Sequence, residues 1–383
     1  MTRRLVLLTE IISPYRIPLF NVLARHESID LHVIFLAETD PNLRQWQVYK
    51  EEIKFSYEVL PSWRRRLGRY NVLLNRGLGQ ALAAASPEVI LCGGYSYIAS
   101  WQALLWARSR SIPFLLWSES NRQDLRRGHA LVEFLKAEFV HRCDGFVVPG
   151  RSAREYLRAQ KIKETSIFTA PNAVDNDFFG SAAAIVRWEA CARRRELGLP
   201  DHYFLFVGRL VPEKGVFELL SAYAKLDEAL RQQVGLVVVG DGASRRRLEE
   251  QSASITPGRV RFSGFAQRER LAEYYALAQV LILPTYTDTW GLVVNEAMAC
   301  GLSVILSRAA GCAADLVKEH WNGLLIPPKD VAALTEAMTS LANHPELCVT
   351  MGANAVQYIS HYSPAEWATG IARAVEITAG ARA

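Results

Sequence analysis

Short apolar runs recur along this chain, separated by longer stretches in which apolar residues return at helical spacing. Residues 5–9 and 31–35 read as strands around a helix from about 17 to 26, and a β-α-β opening of that kind is typical of a parallel sheet. Further strand-like runs at 89–92, 114–117 and 145–148 end in Gly93-Gly94-Tyr95, Ser118-Glu119-Ser120-Asn121 and Pro149-Gly150. The alternation restarts at 203–207 and continues through 236–239, 260–262, 280–284 and 304–306. An α/β chain of two parallel-sheet domains is predicted. Small residues at 180–184 place the join near 180, so the expected domains are 1–180 and 181–363, with a last helix in 364–383 that packs back on the first.

Ligands of open α/β sheets collect at the carboxyl ends of the strands, which makes Ser13, Tyr15, Arg16, Tyr95 and Glu119 candidates to line a cleft. Two roles stay open for Glu119: a cap of the next helix or ion-pair partner of Arg122 or Arg126, or a contact to a ligand in the cleft. The loop at 12–18 has no glycine and so lacks the dinucleotide fingerprint. In the second half, Arg209 and Lys214 lie in a loop between a strand and a helix start, a suitable place to hold a diphosphate, although pairing with Glu213 or Glu218 would be the structural alternative.

The stretch Asp288-Thr-Trp-Gly-Leu-Val-Val-Asn-Glu296-Ala-Met-Ala-Cys-Gly301 carries the strongest local signal. Gly291 opens a helix and Gly301 closes it, with Leu292, Val293, Ala297 and Cys300 expected on the buried face. Unpaired amides and the positive end of the helix dipole would face an anion there, flanked by the two acids. Phosphate on the amides and hydroxyl groups on Asp288 and Glu296 is the predicted arrangement.

Composition narrows the field. Of 383 residues half are apolar and the net charge is +5, as for a globular protein with a sizeable core. No run approaches the ~20 apolar residues of a membrane-spanning helix, and Thr9 and Glu10 interrupt the apolar start that would otherwise suggest a signal peptide. Six cysteines without metal or disulfide spacing point to a reducing, cytoplasmic setting. Asp175-x-Asp177 follows a Pro-Asn turn and is read as turn and cap chemistry rather than a metal pair. The runs Arg193-Arg-Arg195 and Arg245-Arg-Arg247 have local glutamates and read as solvated faces. Trp63, Arg64, Arg65, Arg66 and Arg69 form a different cluster, mixed with apolar residues and nearly without acids. Either it lies against anionic lipid at the inner face of the membrane, or it is a mobile loop leading into a core helix. No nucleic-acid module accompanies it.

Taken together, Gly208-Arg-x-x-x-x-Lys214-Gly215, Gly264, Asp288-x7-Glu296 with Gly291 and Gly301, Gly311 and Asn322-Gly-x-Leu-x-Pro327 resemble the retaining GT-B glycosyltransferases of family 4, and Pro14-Tyr-Arg-Ile-Pro-Leu-Phe-Asn21 looks like the opening of bacterial members that build surface polysaccharides. The resemblance implies two Rossmann-like domains facing an interdomain cleft. It also implies transfer of a hexose-type sugar from a nucleoside diphosphate sugar, UDP-linked by preference or GDP-mannose, to a saccharide or lipid-linked acceptor, with no metal or other cofactor. Glu296 would hold the ribose and Asp288 the donor sugar. Arg209, Lys214 and the amides of Gly291, Leu292 and Val293 would meet the diphosphate, and backbone near Gly264 and Phe265 the base. Thr289 and Trp290 complete the expected donor site. Asp288 and Trp290 depart from the family's usual Glu and Phe beside the sugar, and Glu119 stands where a cleft histidine is common. A nucleotide-sugar isomerase or phosphorylase of the same shape, or an inactive nucleotide-sugar-binding scaffold, are the alternatives.

Overall fold

Three or more consecutive Val, Ile, Leu or Phe residues with no polar interruption suit strands that are covered on both faces, and most strands here contain such a run. A computed structural model describes residues 2–40, 45–67, 70–121 and 130–380, with backbone alone at 66–67, 70–71 and 130–132. The chain divides into two units, one made of 1–172 and 364–383, the other of 173–363.

The first unit contains β1 (Arg3–Thr9), α1 (Ile17–Leu23), β2 (Ile29–Phe35), β3 (Ser56–Val59), β4 (Ser62–Leu67), β5 (Tyr70–Asn75), α2 (Leu78–Ala85), β6 (Val89–Cys92), α3 (Ile98–Ser109), β7 (Phe114–Trp117), α4 (Ala130–His141), β8 (Gly145–Val148), α5 (Arg151–Ala159) and β9 (Ile167–Thr169). Seven of these strands form a parallel sheet in the order β3-β2-β1-β6-β7-β8-β9. The order reverses at β1, so the loops after β1 and β6 diverge there and leave room between them.

The second unit contains α6 (Asn176–Trp188), α7 (Ala190–Leu197), β10 (His202–Val207), α8 (Val216–Ala224), α9 (Glu228–Gln233), β11 (Val234–Val239), α10 (Arg245–Ser252), β12 (Val260–Gly264), α11 (Arg268–Leu277), β13 (Val280–Leu283), α12 (Leu292–Ala299), β14 (Ser303–Ser307), α13 (Ala313–Leu316), β15 (Gly323–Ile326), α14 (Val331–Asn343) and α15 (Pro345–Ile359). Its parallel sheet runs β12-β11-β10-β13-β14-β15. Both units are therefore α/β with a Rossmann-like parallel sheet.

Two features of the chain path differ from the sequence expectation. The small residues at 180–184 lie inside α6, where Ala183 is buried, and the change of unit comes earlier, between Asn172 and Ala173. Asp175 caps α6 by accepting from the Phe178 amide at 2.9 Å, which is its role in place of metal binding. The last helix, α16 (Pro364–Gly380), belongs to the first unit, packing against α1, β8 and β9. Trp367 is fully buried there, its ring 5.7 Å from Phe20 and 5.3 Å from Trp117. Gly370 permits the approach, since a Cβ at that position would lie 2.4 Å from the Thr169 carbonyl.

The described part of the arginine cluster forms one strand of a hairpin, where the sequence offered a surface against lipid or a mobile loop leading into a helix. β4 and β5 pair antiparallel, with Trp63 opposite Leu74, Arg64 opposite Leu73 and Arg65 opposite Val72. Strand alternation sends Arg64 inward, where it pairs with the buried Asp40 and lies 3.4 Å from Glu10, while Trp63 and Arg65 face solvent. Acids distant in sequence thus balance one of the arginines that local reading left unbalanced. Arg69, like Arg122 and Arg126, lies outside the described residues, and so does the side chain of Arg66. Arg64→Ala takes an ion-pair partner from a carboxylate that is 1% exposed, so it should destabilise the protein by about 3 kcal/mol in denaturant titrations, whereas Arg65→Ala should change stability by less than about 0.5 kcal/mol.

Candidate active site

Backbone packed directly on backbone defines the carboxyl edge of the second sheet. Gly240, in the turn after β11, sits so close to the loop after β10 that a Cβ would meet the Gly208 carbonyl at 1.9 Å. The Gly240 amide also donates to the carbonyl of Gly264 at 2.7 Å, and the Leu210 amide to that of Asp241 at 2.9 Å. These contacts hold the ends of β10, β11 and β12 in one layer. Gly264 has φ +74°, a left-handed conformation that favours glycine, and the next residue, Phe265, is left 42% exposed. An exposed ring beside open backbone is a suitable platform for a base.

The loop bearing Lys214 is stitched to the loop after β13. Gly215, at φ +70°, leaves only 2.1 Å between a built Cβ and the Pro284 carbonyl, and the Glu213 carbonyl accepts from the Tyr286 amide at 2.8 Å and the Thr285 hydroxyl at 3.0 Å. That stitching brings Lys214 Nζ to Asp288 Oδ2 at 2.5 Å, with both side chains mostly buried. Lys214 therefore pairs neither with Glu213 nor with Glu218. Asp288 Oδ1 accepts from the Trp290 amide at 3.3 Å, and the Asp288 carbonyl accepts from Gly311, whose lack of a side chain allows it to lie against the Thr289 carbonyl. Arg209 follows Gly208 in the same loop as Lys214 and is exposed.

Gly291, at φ +100°, turns the chain into α12, and the Val294 amide is the first to bond back, to the Gly291 carbonyl at 2.9 Å. Among the described residues the amides of Gly291, Leu292 and Val293 have no protein acceptor and are left for water or an anion, and the helix dipole adds positive potential at the same place. Leu292, Val293 and Thr289 are half-buried at this mouth, while Val294, Asn295 and Ala297 through Cys300 are buried. The predicted face is thus rotated: Leu292 and Val293 belong to the open end of the helix, and Ala297 and Cys300 to its core side. Trp290 is a second correction. Its side chain is 2% exposed and donates from Nε1 to Asn295 Oδ1 at 2.8 Å, so only its backbone belongs to the loop, because an indole of that size fills the core under α12.

Glu296, one turn into α12, is half-buried and accepts from the Tyr275 hydroxyl through Oε2 at 2.7 Å. Burial pushes its carboxyl up to about 7, against the opposing effect of the tyrosine hydrogen bond. Sequence patterning missed Tyr275. It reads as an apolar position of α11, and only the fold brings it against a residue 21 positions away.

In the first unit, the candidates divide. Arg16 joins Glu119 at 2.5 Å and Asn172 at 3.0 Å, and its guanidinium lies 4.1 Å from the Trp117 ring centroid. Glu119 therefore has a described partner in Arg16, while the arginines that follow it lie outside the described residues. Tyr15 contributes its ring 5.4 Å from Arg16, and the Ser13 carbonyl accepts from the Arg16 amide. The Tyr95 hydroxyl lies 3.0 Å from Oγ of Ser120, the residue after Glu119. Among the described residues, no three His, Cys, Asp or Glu converge as metal ligands, and no helix is long and apolar enough to cross a membrane.

Residues 21–178 match the family described as Glycosyltransferase Family 4, and residues 192–358 the family described as Glycosyl transferases group 1. The chain carries two glycosyltransferase domains. A D-inositol 3-phosphate glycosyltransferase of Thermomonospora curvata is 34% identical over 220 residues, covering 55% of this chain and 50% of that protein. A protein of the same name from Streptomyces bingchenggensis is 32% identical over 182 residues, covering 45% and 40%. The chain thus spans about half the length or less of these curated relatives. Among solved structures, Anabaena HepE in complex with UDP superposes with TM-score 0.76 at 17% identity, covering 98% of this chain and 100% of that one. Sucrose-phosphate synthase from Thermosynechococcus elongatus gives 0.77 at 21% identity, covering 99% and 100%. At such identities the likeness is one of fold, and that fold is GT-B.

The raised carboxyl of Glu296 has a consequence for the group 1 domain. A carboxyl that is neutral up to about pH 7 when folded but ionises near 4.5 when unfolded adds stability that is complete below 4.5 and lost as pH rises through 7. Wild-type unfolding free energy should therefore fall between pH 5 and 8 by up to roughly 3 kcal/mol from this group, and Glu296→Gln should remove that part of the decline.

Proposed function

We propose that this protein is a retaining, metal-independent glycosyltransferase that moves a hexose-type sugar from a nucleoside diphosphate sugar, UDP-linked by preference, to a saccharide or lipid-linked acceptor of cell-surface polysaccharide. The observation that carries this reading is the convergence of Lys214, the unbonded first amides of α12 and the carboxyl of Glu296 at one edge of the second sheet. Solved neighbours whose complexes hold UDP and UDP-glucose support the choice of donor.

Each group has a task in this reading. Glu296 accepts from the ribose hydroxyls. The amides of Gly291, Leu292 and Val293, with Lys214 and Arg209, receive the diphosphate, and Phe265 with the backbone at Gly264 receives the base. Breaking the anomeric C–O bond leaves positive character on the sugar and adds negative charge to the departing diphosphate, so fixed cations and a helix N-terminus at the phosphate lower the barrier. Asp288 holds Lys214 until the phosphate arrives, and its freed oxygen then accepts from a hydroxyl of the donor sugar. The acceptor attacks from the face the diphosphate leaves, passing its proton to the leaving phosphate, which retains the anomeric configuration.

Relatives named as D-inositol 3-phosphate glycosyltransferases favour a second reading of the acceptor as a phosphorylated cyclitol. Transfer assays with UDP- and GDP-sugars against lipid-linked saccharide and inositol phosphate separate the two, and NMR of the product reads its anomer. Charge-assisted hydrogen bonds to the donor are worth ~1.5–3 kcal/mol each, so Lys214→Ala and Glu296→Ala should each lower kcat/KM by at least about tenfold. Full activity in both would refute the site. Chelator should leave the rate unchanged, and tight nucleotide-sugar binding without transfer to any acceptor would instead support a scaffold.

A peripheral place at the membrane is the remaining part of the proposal, and it rests on the outward face of the β4–β5 hairpin. Trp63 is 51% and its cross-strand partner Leu74 40% exposed, with Arg65 on the same face. Aromatic, aliphatic and cationic groups together suit an anionic interface. Co-sedimentation with vesicles containing anionic lipid should weaken several-fold in a Trp63→Ala, Arg65→Glu double variant; no binding by wild type, or no change, removes this part.

A further inference from the structure

We propose that Tyr275 is a positioning residue for the nucleotide, holding the Glu296 carboxyl by Oε2 so that Oε1 is presented to the ligand. This deepens the donor-site reading above and rests on it. Tyr275 lies on α11 and has no exposed surface, and its hydroxyl donates to Glu296 at 2.7 Å. Buried hydroxyls need a partner, and Glu296 supplies one, so the bond ties α11 to the open end of α12. Glu296 keeps accessible surface, and its second oxygen takes no hydrogen bond among the described residues. A carboxylate clamped on one side offers a single oriented acceptor, which avoids the rotamer entropy that a free glutamate loses on binding.

The surroundings leave this hydroxyl as the main support of the charged form. Besides Tyr275, the titratable neighbour of Glu296 is Cys300 at the end of α12, whose thiol burial pushes up and so keeps neutral, without a charge to act on the carboxyl. Arg187 on α6 donates to the carbonyls of Ala276 and Cys300, at the far end of α12. β13 and β14 carry no titratable side chain. On α15, Cys348 and Tyr358 are engaged with the carbonyls of Leu341 and Asp315. Losing the tyrosine hydroxyl therefore removes the one described hydrogen bond that favours ionised Glu296.

The test is UDP binding by calorimetry from pH 5.5 to 8.5, on wild type, Tyr275→Phe, Glu296→Gln and the double variant. Tyr275→Phe should weaken UDP binding roughly tenfold at pH 7.5 and move the pH at which affinity rises to a higher value. In the Glu296→Gln background the same change should add nothing to the pH dependence. Thermal melts separate this from unfolding, since a merely structural role would lower Tm without moving the pH profile. Wild type that binds UDP, with Tyr275→Phe matching it in Kd and profile, overturns the inference alone. Wild type that binds neither UDP nor GDP overturns the donor-site reading and this inference with it.

Discussion

Everything at the edge of the second sheet depends on how closely loops can approach when nothing projects from their backbones. Gly215 against Pro284, Gly240 against Gly208 and Gly311 against Thr289 are contacts of backbone on carbonyl oxygen, closer than any side chain would allow. They set the spacing of the loops that carry Lys214 and Asp288, and the ion pair follows from that spacing. A methyl group in any of these three places would displace a loop by more than the tolerance of a hydrogen bond.

Within that frame the two acids have become unlike. Asp288 is held by a lysine through one oxygen and by a backbone amide through the other. Glu296 sits in a drier place with a single tyrosine, and burial dominates. The shorter side chain of Asp288 suits its reach to Lys214. One acid is thus tied through both of its oxygens, the other through one alone among the described residues.

Most of the fold was legible because parallel strands announce themselves. The run Val280–Leu283 has no other good interpretation, and Gly291 and Gly301 bound the helix between them as their positive φ values require. The pairing of Lys214 with Asp288 was not legible, since it depends on two loops 74 positions apart. Trp290 misled because a motif position says where a backbone runs and not which way a side chain turns. The hairpin was missed for a related reason. Its alternation hid under a run of like charges, and the acid that draws Arg64 inward comes from the loop after β2. Tyr275 shows the same limit from the other side, being a core residue by pattern and a polar partner by packing.

The last helix gives the chain an order in time. Trp367 fills the core beside Phe20 and Trp117, yet it is made after the whole of the second unit. Synthesis proceeds from the amino end at about 5–20 residues per second, so the first unit to be started is the last that can be finished. The second, whose residues are contiguous, can complete its sheet while the first still waits for its final piece. Through that interval Phe20 and Trp117 wait for the ring that packs on them, which α16 brings only after the second unit has been made.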